Sequence, residues 1–351
     1  MFRPLFFRFS LLSTALFLSA CEEPRLSSRE KNFDPAGVSD ATSLQELLAG
    51  LGVNLPTQPP DSIADGQVDD GRALVFQGRL PDREDQKLSA YFYCADCHST
   101  ERETHNLAEY NDPLAKLAYA IEKDIVMLPA PSLAGIVNRE GYFQSESAER
   151  FGAEKAVLND LPAAIQFCST TIARGRELDE TELEAILAYL WSLEWRIGDL
   201  GFRGADLAEL KRRALNPDEH RLIAEELKAL YPLFTQSTVG VIPEDSFAGF
   251  DRKTDPDLES GAAVWLRSCI HCHGAGGASE HYFGDKPSTW RALQNAFREG
   301  LLYEHLRQGT FSKESRTAHM PSFSREKLSD AQVENLRAYI ETKVSSEKPE
   351  N

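Results

Sequence analysis

The sequence predicts an all-α protein made of two small helical domains joined by a partly helical linker, and two observations carry that prediction. The stretch LDETELEAILAYL at 178–190 aligns without a gap on LSDAQVENLRAYI at 328–340. Both stretches begin acidic and space their apolar residues at the helical period. The pattern Cys-x-x-Cys-His also occurs twice, as Cys94-Ala95-Asp96-Cys97-His98 and Cys269-Ile270-His271-Cys272-His273. With 351 residues the chain is long enough for two domains of ordinary size. The expected division is a leader at 1–20, a tether at 21–69, a first domain at 70–196, a linker at 197–255, a second domain at 256–345 and a polar tail at 346–351.

At the N-terminus, Arg3 and Arg8 precede an apolar run at 11–18 that is too short to remain as a membrane-spanning helix, so it reads as an export signal. The run ends in Leu18-Ser19-Ala20-Cys21, which resembles the lipobox of bacterial lipoproteins. That resemblance implies cleavage before Cys21, lipid on its sulfur, and a protein anchored to a bacterial membrane by lipid alone and facing the periplasm. A plain signal peptide with an incidental Cys is the alternative. Residues 21–69 are rich in Pro, Ser, Asp and Glu with one apolar patch at 44–51, and read as a tether. The formal net charge of −17 repels phosphate backbones, which argues against nucleic acid as a partner. It suits a redox protein with a basic docking face, although acidity that only keeps the chain soluble is the plainer reading.

The two Cys-x-x-Cys-His segments carry the chemistry. Two thiols three positions apart can both reach the vinyl groups on one edge of a porphyrin, and the adjacent His can then place its imidazole on the iron. Composition alone yields roughly 0.002 chance occurrences, and there are two. A thioredoxin-type redox pair needs βαβ surroundings, whereas the flanks here are helical. Zinc gives no reason for a His after each pair, and a structural disulfide gives none either. The expected cofactors are therefore two covalently bound haem c groups, on Cys94 and Cys97 and on Cys269 and Cys272, with His98 and His273 on the irons.

The repeated helix resembles the C-terminal helix of class I cytochrome c, which packs against the helix leading into the haem-binding motif. The resemblance covers about 70–196 and 256–345 and implies two class I cytochrome c-like domains. In the second, the leading helix is 257–268, and Gly261 stands where that family has a small residue at the helix crossing; the first domain shows no such Gly. Met320-Pro321 lies shortly before the last helix, as the family's distal ligand does, which implies His273 and Met320 on the second iron, with His319 as a neighbour able to compete. In the first domain, 129–135 resembles the family's loop beside the proximal His, which implies the Pro131 carbonyl as acceptor for the other ring nitrogen of His98. Met127 precedes that loop, on the wrong side of it for a distal ligand.

Cysteine arithmetic supplies the alternative. One Cys is assigned to lipid and four to haem, which leaves Cys168. Moved by the offset of the helix repeat, it falls two residues from Met320, at roughly the distal-ligand position. A thiolate there lowers the iron's potential relative to Met. A buried Cys acting as a small hydrophobe remains open, as does His105 as a weaker ligand candidate. The first domain is also similar to bacterial thiosulfate dehydrogenases in the spacing of Cys168, Gly175 and Leu178, but departs from them at Ile172-Ala173-Arg174. That resemblance implies His98/Cys168 ligation and a sulfur oxyanion as substrate, for which Arg139, Arg174 and Arg176 are candidate pocket residues; solvated surface charge is the other reading of these arginines. Residues 197–256 contain two amphipathic stretches near 205–214 and 217–230, expected to pack the domains into a fixed relation. Three functions follow in order: an electron carrier between periplasmic or membrane redox partners, a thiosulfate dehydrogenase-like oxidoreductase, and an open-haem sensor or peroxidase.

Overall fold

The computed structural model describes residues 33–345 except 236–239, 252–254, 280 and 316. The leader, Cys21 and the polar tail at 346–351 lie outside the described residues. Those described form an all-α structure, with only isolated bridges pairing Ser43 with Arg196 and Gly141 with Phe234. No described helix is long and apolar enough to cross a membrane.

In chain order the helices are α1 (Leu44–Gly50), α2 (Gln67–Gln77), α3 (Cys94–Cys97), α4 (Pro113–Lys123), α5 (Ser145–Phe151), α6 (Ala156–Asn159), α7 (Leu161–Phe167), α8 (Glu180–Ser192), α9 (Gly204–Ala214) and α10 (His220–Lys228). They continue as α11 (Leu258–Val264), α12 (Ile270–His273), α13 (Pro287–Arg298), α14 (Leu301–Gln308) and α15 (Asp330–Ser345). A π turn at Cys168–Ile172 extends α7, and another at Trp265–Cys269 joins α11 to α12. Such turns absorb one extra residue into a helix and gather at functional positions.

Each repeat rests on one helix crossing. A Cβ on Gly71 in α2 would stand 1.9 Å from the Ala185 carbonyl oxygen in α8, and a Cβ on Gly261 in α11 would stand 2.1 Å from that of Asn335 in α15. Only glycine lets the backbones approach so closely. The first repeat thus has its crossing glycine after all, in Gly71. Residues 78–93 separate α2 from the first Cys pair, which hid it from any reading that expected the helix to run into the motif. The C-terminal helix α8 starts with a capping box, in which Asp179 accepts from the Glu182 amide at 2.9 Å and Glu182 accepts from the Asp179 amide at 3.0 Å.

One expectation about the flanking segments fails for the described residues. From residue 33 onward the tether is folded: Leu44, Leu47, Leu48 and Leu55 are buried in a core with Trp195, Ile197, Leu210, Ile223 and Leu227. The patch at 44–51 is the apolar face of α1, and burying it removes it from water. The linker helices α9 and α10 pack in that same core, beside Leu107 and Ala134. They extend the first domain, while residues 240–250 of the same linker pack on the second, where Phe250 joins its core and Arg337 donates to the Ser246 and Phe247 carbonyls.

A segment of the first domain also crosses to the second. Leu117, Ala120 and Met127 lie in the core of the second domain with Val264, Phe297, Leu306 and Leu336. Around that contact, Lys327 reaches the Glu103 carboxylate, Lys116 Nζ stands 3.9 Å from it and donates to the Glu326 carbonyl at 3.1 Å, and Gln332 Nε2 donates to the Pro113 carbonyl at 2.9 Å. Glu103, Lys116 and Lys327 are all buried. Burial pushes the Lys116 ammonium down to about 7 and lowers Lys327 as well.

Candidate functional site

The first Cys pair sits on the single turn α3, held by the Asp96 carboxylate accepting from the Tyr93 amide at 2.7 Å. The chain leaves the turn at His98, whose Nδ1 is 2.7 Å from the Pro131 carbonyl. A carbonyl only accepts, so Nδ1 carries the proton and Nε2 keeps its lone pair. Burial lowers His98 to about 4, which keeps the ring neutral. Cys94, Cys97, His98, Cys168, Arg139 and Met320 all line one cavity of about 1850 Å³ including its open mouth.

Cys168 opens the π turn after α7, where its carbonyl accepts from the Ala173 amide at 2.7 Å. The 78–93 segment buttresses that turn. Ser89 Oγ donates to the Ala173 carbonyl at 2.5 Å, the Arg176 amide donates to Leu88 O at 2.9 Å, and a Cβ on Gly175 would stand 2.2 Å from the same oxygen. Burial pushes the Cys168 thiol up to about 12. The metal-free chain therefore holds it protonated, and only a bound cation offsets the cost of a thiolate there.

In the second repeat, Cys269 closes a π turn and Cys272 lies in α12. His273 Nδ1 is 2.7 Å from the His281 carbonyl, so it too carries its proton on Nδ1, and its ring stacks on Phe283 with centroids 4.1 Å apart. Met320 is fixed by its backbone: its amide donates to Thr310 Oγ1 at 2.7 Å and its carbonyl accepts from the Thr310 amide at 2.9 Å. Its side chain packs against the second core. His319 is buried, lines the first cavity and contacts Phe92 and Phe311 edge to face.

The fold brings the two Cys pairs together. The Met127 amide donates to the Arg267 carbonyl at 2.8 Å, two residues before Cys269, and Arg267 pairs with Asp124 at 2.6 Å. The Cys97 thiol is raised by burial first, and lies close enough to Cys168 and Cys272 for their charges to add to the shift.

The three arginines separate. Arg139 is fully buried, donating to Thr235 Oγ1 at 3.0 Å and to the Ser132 carbonyl at 2.8 Å, with Nε unpartnered. It is a wall of the cavity, and a buried guanidinium with a spare donor fits a carboxylate of a bound porphyrin. Arg174 adopts φ 57° and lays its guanidinium 4.1 Å from the Phe311 ring centroid. Arg176 pairs with Glu182 at 2.6 Å and is outside the cavity wall, so its place in an anion pocket is withdrawn: its charge is spent on the buried carboxylate of the α8 capping box. Met127 is in the second core, and His105 is a surface residue 2.7 Å from Glu122. Sequence reasoning missed the His281 carbonyl, which no proline marks, and Arg150, which stands in the cavity wall far in sequence from either motif.

The donor set fits covalent porphyrin: paired thiols, a neutral His with its outer nitrogen free, and an apolar cavity around them. Residues 256–340 match the family model described as cytochrome c oxidase, cbb3-type, subunit III. A search of curated proteins found no match. The chain thus carries, over 256–340, a c-type cytochrome domain of all-α fold, which implies covalently bound haem c and a role in electron transfer.

Proposed function

We propose that the protein is a dihaem c-type cytochrome, exported and held to a bacterial membrane by lipid on Cys21, that passes electrons between redox partners facing the periplasm. The observation that carries this reading is the repetition of the same local device. A Cys pair ends a helical turn, the next His donates through Nδ1 to a backbone carbonyl at 2.7 Å, and a glycine crossing packs the helix behind it. When bound, haem supplies the one-electron couple. The chain's own part is to hold each imidazole in one tautomer, exclude water with the buried walls, and keep the two attachment segments adjacent. The acidic surface suits a partner with a basic docking face. The test is haem stoichiometry with a potentiometric titration of the exported protein. Two haems per chain and two one-electron waves are expected, and a single haem overturns the reading.

A second reading is favoured by one residue. Cys168 opens a π turn in the cavity that also holds His98, and by the offset of the helix repeat it falls two residues from Met320. His98/Cys168 ligation makes the first haem low in potential and suits thiosulfate dehydrogenase-like turnover of a sulfur oxyanion. Electron paramagnetic resonance of the oxidised protein should show a thiolate-type low-spin signal that Cys168→Ala removes. A first-haem signal indifferent to that change removes the basis for the enzyme, leaving a carrier or an open-haem sensor.

A further inference from the structure

Charged side chains are rarely buried, and then usually in matched pairs. Where the two domains meet, this chain buries three cations around one carboxylate: Lys116, Arg139 and Lys327 with Glu103. Lys327 takes the carboxylate, and Lys116 Nζ is left 3.9 Å from an Oε2 that has no hydrogen bond. Lys116 donates instead to the Glu326 carbonyl at 3.1 Å and stands 4.3 Å from the centroid of the Tyr110 ring. The Tyr110 hydroxyl in turn accepts from Arg139 Nη2 at 3.3 Å and from the Ser132 amide at 3.2 Å. The ionisable groups facing Lys116 are therefore Glu103, Tyr110 and Arg139 of the first domain and Glu326 and Lys327 of the second. On α4 itself, Glu122 is turned towards His105 and Lys123.

The guanidinium keeps its proton at any ordinary pH, and Lys327 holds the carboxylate contact. Lys116 is thus the cation that can relieve the excess by releasing a proton, and burial followed by the Lys327 charge brings it to about 7. The cluster also abuts the first Cys pair. Ser132, held by Tyr110 and Arg139, follows the Pro131 whose carbonyl orients His98, and its Oγ donates to the Glu101 carbonyl at 2.7 Å. After burial and the Pro131 bond, the charges acting on the His98 ring are Lys327, Arg139 and Glu103. A positive charge in this interior favours the ferrous state of an iron on His98. By reciprocity, reducing that iron strengthens proton binding at the charge. We propose that Lys116 is a redox-linked proton site: an electron passed to the first haem by a redox partner is accompanied by uptake of a proton from water at Lys116 Nζ, and reoxidation returns it. The electron enters the iron and the proton enters the amine, so the net charge of the region is conserved. The inference rests on the reading of Cys94, Cys97 and His98 as a haem site.

The test is a spectroscopic redox titration of the exported holoprotein at a series of pH values from about 6 to about 9. The first haem's wave is the one that Cys94→Ser/Cys97→Ser lacks. In the wild type its potential is expected to fall as pH rises and to level off at both ends, because a proton site with two affinities can shift it only by their ratio. A tenfold ratio corresponds to about 59 mV between the two levels. Lys116→Met, uncharged at every pH, should hold the potential at the high-pH level. Lys116→Arg, charged at every pH, should hold it at the low-pH level. A role in packing alone would move both variants in the same direction, and that result overturns the proposal. So does a wild-type potential indifferent to pH, or a slope that survives in either variant, so that each decides alone if the other fails to fold. Failure of the haem reading shows separately, as a wild-type chain with no haem mass on Cys94 and Cys97, and overturns both.

Discussion

The two repeats share a helix crossing and differ in what is inserted around it. In the second, α11 runs through a π turn straight into Cys269, and only eight residues separate His273 from the carbonyl that orients it. In the first, residues 78–93 intervene between α2 and Cys94, and His98 reaches forward 33 residues to Pro131. Both insertions are put to use: the earlier one buttresses the π turn that starts at Cys168, and the later one, with α4, supplies part of the second domain's core. The crossing tolerates this because each glycine contact is complete within its own helix pair. The lesson is that the repeated unit is the crossing plus the Cys turn, and that the chain between them is free to take on other work.

That comparison can be broken in several ways. Replacing Cys94 and Cys97 with Ser should remove one haem mass from the intact protein and leave the second attached, and replacing Cys269 and Cys272 should do the reverse. Loss of both haems from either variant would mean that the repeats do not load separately. Next in size are the crossings: Gly71→Val and Gly261→Val each place carbon inside the opposing backbone and should cost about 3 kcal/mol or more in denaturant unfolding. A large loss for one and none for the other would end the equivalence of the two crossings.

The asymmetric features should give smaller effects. Lys327→Met leaves the Glu103 carboxylate buried with one partner fewer and should cost about 3 kcal/mol, restored in part by Glu103→Gln in the same chain. Lys116 sharpens the same point through pH. Its folded pKa, near 7 because of burial, lies below the ordinary 10.5, so between those values the unfolded chain binds a proton that the native one has released. This residue's contribution to stability therefore rises with pH across that window, and Lys116→Met should flatten the rise in a melting-temperature profile. Of the same order as Lys327→Met, Arg176→Ala leaves the buried Glu182 carboxylate without its two guanidinium donors and should cost about 3 kcal/mol, while both haem spectra stay unchanged.

Much of the fold was legible because its signals are local. Two five-residue motifs name a cofactor through the reach of their own side chains, and the repeat from Leu178 to Leu190 and from Leu328 to Ile340 declares a helix through its period alone. The amphipathic stretches that became α9 and α10 were visible in the same way. What they pack against was not, because an apolar stripe specifies burial and not a partner; hence the misassigned tether. The crossing glycine at Gly71 was hidden for a related reason, since its meaning lies in Ala185, more than a hundred residues away.

The sequence by itself determined the all-α class and the two Cys pairs with the His that follows each, His98 and His273. Tertiary structure alone decided that His98 and Cys168 share a cavity with Met320 of the other domain and that Arg176 is spent on Glu182. Covalent reach is fixed by neighbours along the chain, whereas a charge is defined by every group within a few ångströms, and those are chosen only when the chain folds.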